Sequence, residues 1–321
     1  MFAVSWRSIG LGACAALTVA LTSGPAAAQC PERQKLLSSN GAGGDQVGKA
    51  TAIDGNVAVL GAPKHDSQGL ADSGAAYVFT ESGGVWSEAQ VLDAGTFAAA
   101  GDLFGSSVGI SGNWIVVGAP ANDVEGTDAG AAYVFELVGG VWTLRQQLLG
   151  SNLATGDNFG NDVDISGDAL IVGARFDDTT GGVDAGSAYI YRDDGPIFGW
   201  TEEALLEDSI TSDWFGTRVA LDGDVAVVGS LLDNHGVYAD GGSAYVYRHD
   251  GSSAWPLEQM LISPSPYNGA RLGEDVAVLG DLIVCGEWRG GVGRAHTLSI
   301  RRVQSGLELR TDPAAGPGRH Q

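Results

Sequence analysis

The sequence predicts an all-β protein, a β-propeller built from four-stranded antiparallel blades. Three observations predict it. The string Gly74-Ala75-Ala76-Tyr77-Val78-Phe79 returns at Gly130, Gly186 and Gly242, a constant step of 56 residues. Glycine makes up 50 of 321 residues, about 16% where roughly 7% is usual, the mark of many tight turns. Hydrophobic residues make up 44% of the chain, with only 10 prolines and no Gly-X-Y period. A packed core is therefore available, and collagen-like or disordered Pro/Gly chains are excluded.

Further markers travel with the first in fixed order. Val59-Leu60-Gly61-Ala62-Pro63 matches Val117-Gly118-Ala119-Pro120, Val172-Gly173-Ala174, Val228-Gly229-Ser230 and Val284-Cys285-Gly286. Phe104-Gly105, Phe159-Gly160 and Phe215-Gly216 form another series, degraded to Val47-Gly48 and Leu272-Gly273 at its ends. Segments led by Trp86, Trp142, Trp200 and Trp255 form the last. A period of this size means a propeller, solenoid or array.

Each unit reads as four strands. The first follows Phe-Gly and alternates, as Val108 and Ile110 or Val163 and Ile165 show. Asp54-Gly55-Asn56 and its equivalents then supply a hairpin turn. The second strand, such as Trp114-Ile115-Val116-Val117, is apolar on both parities and so buried on both faces. The third is Ala-Tyr-Val-Phe, and the fourth is led by Trp. Small residues in Gly-Ala-Ala-Tyr fit close approach of neighbouring sheets. Five such units are counted, with a solenoid as the competing architecture. Cys30–Leu37 aligns with Trp255–Ile262, so an outer strand precedes the first unit and is expected to complete the last blade. Closure of that kind removes exposed edges.

Residues 1–28 read as a secretory signal peptide: Arg7 as the only charge, an apolar run from Ile9 to Leu21, and Ala26-Ala27-Ala28 before Gln29. The run is too short to span a bilayer. The mature protein is expected to be exported: secreted, periplasmic or on the cell surface. Cys30 and Cys285 remain after cleavage, read as two buried thiols with a bridge as the alternative. The propeller is assigned to residues 29–300, and 301–321 to a basic tail expected to be disordered, or to arise from an altered reading frame.

Lys and Arg number 17 against 39 Asp and Glu, a formal charge of -22. Residues 29–288 carry -27 and residues 289–321 carry +4. A surface this acidic repels phosphate backbones, which excludes nucleic acid as a partner.

Phe-Gly opening each unit, Gly-Ala-Pro closing its second strand, and the recurring Ala-Tyr-Val-Phe together resemble the FG-GAP repeat over about residues 30–298. The chain looks most like exported bacterial members and is more distantly similar to the propeller of integrin α subunits. The resemblance implies a propeller used for extracellular recognition or adhesion. Integrin-like units also carry a calcium cage, Asp-x-Asp-x-Asp-Gly-x-x-Asp, between the first two strands. Here that place holds only Asp54-Gly55-Asn56 and its equivalents, too short to supply the six or more oxygens that calcium takes. The cage is therefore not carried over, and no cofactor is expected, with calcium bound by the acidic loops as the alternative. The resemblance also implies seven blades, so five units make a smaller, truncated or associating propeller.

Candidate binding residues are the acidic residues of the loops. Asp66, Asp123, Asp177 and Asp233 follow the Gly-Ala-Pro position, with Asp178 beside Asp177. Asp72, Asp128, Asp184 and Asp240 precede the Gly-Ala-Tyr strand, and Asp45, Asp102, Asp157 and Asp213 precede Phe-Gly. Antiparallel connectivity sets all these loops at one end of the disk. They serve as turn formers or as a face for cations or a basic partner.

No catalytic residues are assigned. Gly105-Ser106-Ser107-Val108-Gly109 fits G-x-S-x-G but opens a blade strand, whereas a nucleophile elbow needs strand, turn and helix. The expected function is non-catalytic recognition or adhesion through the acidic loop face, with a protein or glycan partner outside the cytoplasm. Alternatives are a carbohydrate-binding propeller using Phe176, Trp214 and Tyr238, and a propeller glycan hydrolase or lyase.

Overall fold

The structure is a computed structural model. It describes residues 34–207, 213–234, 238–263 and 266–287, and the backbone of strands at 294–296, 298–303 and 306–311. The signal peptide, Cys30 and residues 312–321 of the tail lie outside the described residues.

The strands form antiparallel sheets in sequence order. The first holds β1 (Thr51–Asp54), β2 (Val57–Ala62), β3 (Ala75–Ser82) and β4 (Val85–Leu92). The second holds β5 (Ser107–Ser111), β6 (Trp114–Ala119), β7 (Ala131–Val138) and β8 (Val141–Leu148). The third holds β9 (Phe159–Ser166), β10 (Ala169–Ala174), β11 (Ser187–Asp193) and β12 (Trp200–Glu207). The fourth holds β13 (Phe215–Asp222), β14 (Val225–Ser230), β15 (Ser243–Arg248) and β16 (Leu257–Ile262). The fifth has three strands, β17 (Val276–Leu279), β18 (Leu282–Glu287) and β19 (Arg294–His296). A hairpin of β20 (Leu298–Val303) and β21 (Gly306–Thr311) follows, with β20 against β18. The boundary drawn at residue 300 thus falls inside a strand.

First strands β1, β5, β9, β13 and β17 neighbour one another in turn. One cavity is lined by residues from all five, so they surround a common axis. This is a β-propeller, incomplete in its fifth sheet, rather than a solenoid. The fourth strands carry the outer edge. In β4 exposed and half-buried residues alternate, whereas β10 and β14 are buried throughout.

Each sheet–sheet interface holds its own hydrophobic cluster. Val59 and Val78 of the first sheet meet Val108 and Ile110 of the second. Val116 and Val134 meet Val163 and Ile165. Ile171 and Ile190 meet Val219 and Leu221. Val227 and Val246 meet Val276 and Val278. Even and odd positions of an inner strand therefore face different neighbours, which explains the all-apolar second strands.

The Phe-Gly motif joins sheets. Phe104 lies 5.4 Å from Tyr133 of its own sheet, and its backbone bridges Gly74 of the preceding sheet. Phe159–Tyr189 and Phe215–Tyr245 repeat the ring pair at 5.1 and 5.3 Å. A β-carbon on Gly61 would overlap the carbonyl of Gly105, and Gly118 meets Gly160, Gly173 meets Gly216, and Gly229 meets Gly273 in the same way. The glycines of Gly-Ala-Pro and Phe-Gly are thus two sides of one backbone contact. Tyr133, Tyr189 and Tyr245 are buried at these interfaces, and Tyr77 is buried in the core of the first sheet's outward flank.

Two expectations are corrected. In the fifth unit Cys285 opposes Val276 as Val228 opposes Val219. Cys285 therefore stands at the valine position and Gly286 at the interface glycine, one residue later than the sequence alignment has it. Cys285 is a buried free thiol. Secondly, residues 34–37 form no strand, and the fifth sheet does not gain them. Leu36 instead packs with Val47 and Trp86 over the flank of the first sheet that faces away from the second, against Tyr77 and Phe79. Gly48, the first sheet's counterpart of Gly105, has open space around it, so the glycine contact is made at four interfaces and not at a fifth.

Candidate functional site

Strands β1 and β2 are joined by a two-residue turn, as are β3 and β4. The long loops, second to third strand and outgoing fourth to first, therefore gather at the opposite end of the disk. All the candidate carboxylates lie on these loops.

The second-to-third loop has a repeating plan. Asp66 Oδ1 accepts the N–H of Asp72 at 3.0 Å, Asp123 that of Asp128 at 2.9 Å, and Asp178 that of Asp184 at 2.9 Å. In the fourth sheet Asn234 Oδ1 takes this role toward Asp240, at 3.1 Å. Asp72, Asp128, Asp184 and Asp240 all hold a left-handed backbone, φ 51 to 54°. Asp tolerates that conformation better than most residues. The turn swings a carbonyl toward the next sheet: Leu103, Asn158 and Arg271 donate their N–H to Asp72, Asp128 and Asp240.

This plan separates two kinds of candidate. Asp66, Asp123, Asp128 and Asp178 are exposed, and Asp72, Asp184 and Asp240 are half-buried. Asp177 and Asp233 are buried, 1% and 2% exposed. They are the counterparts of His65 and Asn122, not of Asp66 and Asp123 as the sequence alignment had them, because the loop of the third and fourth sheets is offset by one residue. Asp177 accepts hydrogen bonds from Ser187 and from Tyr189, the latter at 2.6 Å. Asp233 does the same with Ser243 and with Tyr245, the latter at 3.0 Å.

The aspartate two residues before Phe-Gly forms the floor. Asp45, Asp102, Asp157 and Asp213 are buried. The carboxylates of Asp45, Asp102 and Asp157 accept an N–H three residues back: Ala42 and Ala99 at 2.8 Å, Ala154 at 2.5 Å. The carbonyls of all four accept N–H groups of the adjoining loop, from Lys64, Ala121, Phe176 and Leu232. The inner neighbour then sets the electrostatics. His65 Nδ1 lies 2.8 Å from Asp45 Oδ2, and the Ala42 N–H, aided by His65, holds the Asp45 carboxyl below its usual value. Asn122 donates to Asp102 at 3.1 Å, and burial outweighs that bond and raises the Asp102 pKa. Around Asp157 the neighbours are carboxylates. Burial, with the charges of Asp177, Asp178 and Asp184, pushes it up to about 6. Three further carboxylates therefore act on Asp157 and oppose its ionisation.

Two non-repeating aromatics meet here. Phe176 and Trp214, from the loops of the third and fourth sheets, pack edge to face at 5.2 Å, and Arg175 stacks 4.5 Å from the Phe176 ring. Sequence reasoning named both rings but had no signal for their contact, since they lie in different repeats. Tyr238 is 36% exposed. Ser107 of the G-x-S-x-G string is buried in β5 and donates to the Gly160 carbonyl at 2.8 Å, an inter-sheet bond. Among the described residues no group of three or more His, Cys, Asp or Glu is disposed to hold a metal ion.

No curated protein matches the chain. A family model described as FG-GAP repeat matches residues 31–79, 86–135, 142–191 and 200–247. The last three matched segments begin on the outer strand of one sheet and end on the third strand of the next, so one family repeat straddles an interface. The segments cover more than half of the sequence and hold the Phe-Gly, Gly-Ala-Pro and Ala-Tyr-Val-Phe motifs whose contacts build those interfaces, and the chain belongs to the FG-GAP repeat family.

Proposed function

We propose that the protein is an exported, non-catalytic recognition propeller that engages a basic protein surface through its loop end. One observation carries this reading. Asp66, Asp123 and Asp178 are exposed at corresponding places around one end, with Asp128 exposed beside Asp123, and no arginine or lysine is paired to them among the described residues. Repetition of weak, like contacts around a ring gives avidity without a deep cleft. The leader read in residues 1–28 supports export, and mature protein recovered from the medium or periplasm should begin at Gln29.

The test is binding of the full chain to immobilised lysine-rich peptides and to a surface extract of exported proteins. Reversal of Asp123, Asp128, Asp178 and Asp184 to lysine should abolish binding. Unchanged binding removes the loop end from the function.

A second reading has its own observation. The Phe176–Trp214 pair with Arg175 is the kind of platform on which a sugar ring stacks. Glycan-array binding lost on Trp214→Ala, but kept on charge reversal, selects this reading. Turnover of a polysaccharide would overturn the non-catalytic assignment in either case.

A further inference from the structure

At the other end of the disk, the last residue of each inner strand reaches into the next sheet. Asp54 Oδ2 accepts the N–H of Gly112 at 2.7 Å, and Ser111 Oγ that of Gly167 at 3.0 Å. Ser166 Oγ accepts that of Gly223 at 3.0 Å, and Asp222 Oδ2 that of Gly280 at 2.6 Å. The fifth member is Leu279, which has no acceptor to offer Gly55. Inside this girdle lies a cavity of about 260 Å³ on the propeller axis.

Its rim and walls differ in kind. Asp54, Ser111, Ser166 and Asp222 supply the polar rim, and Ile110, Ile165, Val278 and Leu282 supply apolar wall. Each rim side chain has one oxygen engaged by a glycine N–H, which leaves the second carboxylate oxygen of each Asp and the hydroxyl protons of the serines for a ligand. Among the described residues no cationic side chain lines the cavity and no ion pair to Asp54 or Asp222 is made. By contrast Asp168 and Asp224, on the neighbouring turns, are paired with Arg192 and Arg248 at 3.0 and 3.1 Å.

We infer that this axial cavity binds the side chain of a lysine presented by a protein partner. The volume falls below the roughly 300–1,000 Å³ of sites for whole small molecules and suits a single side chain. The apolar walls take an aliphatic stem. Two carboxylates and two hydroxyls match the three donors of an ammonium, a compact head on a flexible stem, better than a flat guanidinium fork. The site is at the opposite end from the acidic loop face and does not depend on it.

The test uses the full chain with Nα-acetyl-lysine methylamide as probe, read by methyl NMR shifts of Ile110, Ile165 and Leu282. Saturable shifts are expected for this probe, with the neutral norleucine analogue about tenfold or more weaker, a gap of roughly 1.4 kcal/mol. Asp54→Asn with Asp222→Asn should weaken the lysine probe by a similar factor. Asparagine still offers an oxygen to Gly112 and Gly280, so the girdle is kept, and the single variants give intermediate losses should the pair fold poorly. Equal binding of the norleucine analogue, tighter binding of the arginine analogue, silent methyls, or unchanged affinity in the asparagine variants would each overturn the assignment. Lysine reversal of Asp123, Asp128, Asp178 and Asp184 should leave these shifts in place, which separates this site from the loop-end reading.

Discussion

Gln90 holds the backbone of Trp142 from both sides. Its Nε2 donates to the Trp142 carbonyl at 2.7 Å, and the Trp142 N–H donates to its Oε1 at 2.9 Å. The clamp ties the outer strand of one sheet to the outer strand of the next. Gln146 repeats it on Trp200 at 2.8 and 2.9 Å, and Gln34 on Trp86 at 2.6 and 2.8 Å. Inner strands meet around the axis, but a propeller widens outward, and this amide spans the wider gap.

Replacing Gln90 by Ala removes both bonds and leaves a main-chain pair without partners. A loss of about 1–3 kcal/mol is expected, read by urea unfolding. Gln146→Ala should match it. A loss below about 0.5 kcal/mol at both sites would show that solvent replaces the clamp.

The interface glycines should be far less tolerant than others. Gly118→Ala places a β-carbon on the Gly160 carbonyl, so the sheets must part, and a cost of more than about 3 kcal/mol is expected by denaturant titration. Gly43→Ala, on an exposed loop with open space around it and no left-handed φ, should be neutral.

Asp157 makes stability depend on pH in an unusual direction for a carboxylate. Its folded value is raised to about 6 from 3.8. The proton is held more tightly folded than unfolded, so the contribution is full below pH 3.8 and is lost as pH rises through about 6. Asp157→Asn, neutral throughout and still able to accept the Ala154 N–H, should flatten that dependence and stabilise the protein at pH 7 by roughly 1–3 kcal/mol. Asp45 acts oppositely: its depressed value gives stability above the usual carboxylate range that fades as pH falls. Urea midpoints of wild type and Asp157→Asn from about pH 4 to pH 8 check the sign.

The loop turns predict a split between neighbours. Asp123→Ala loses the bond to the Asp128 N–H and should cost about 1 kcal/mol. Asp128→Gly relieves a left-handed φ of 54° and should be neutral or stabilising, while Asp128→Val should be clearly destabilising. Thermal melts of the three variants make the comparison.

The strands were legible because their signals are local. Alternation at Val163 and Ile165, the Gly55 turn and the apolar run at Ile115–Val117 each specify a few consecutive dihedrals, and the 56-residue step exposes their repetition. Family motifs were equally plain, although the reason for their glycines was not. Gly61 and Gly105 stand far apart along the chain, and only packed sheets bring one carbonyl onto the other's missing β-carbon.

The loop carboxylates were legible as a set and were misread one by one. Asp177 and Asp178 are adjacent and chemically identical, yet one is buried under Tyr189 while the other faces water. Burial of a carboxylate is decided by what sequence-distant chain lies over it, and so are the Phe176–Trp214 contact and the cavity ringed by Asp54 and Asp222. The sequence by itself determined the repeating strands and their turns, which follow from short-range sterics and side-chain period. Tertiary structure alone decided which polar groups leave water and which meet, because desolvation and close contact belong to the interfaces between repeats and not to any repeat.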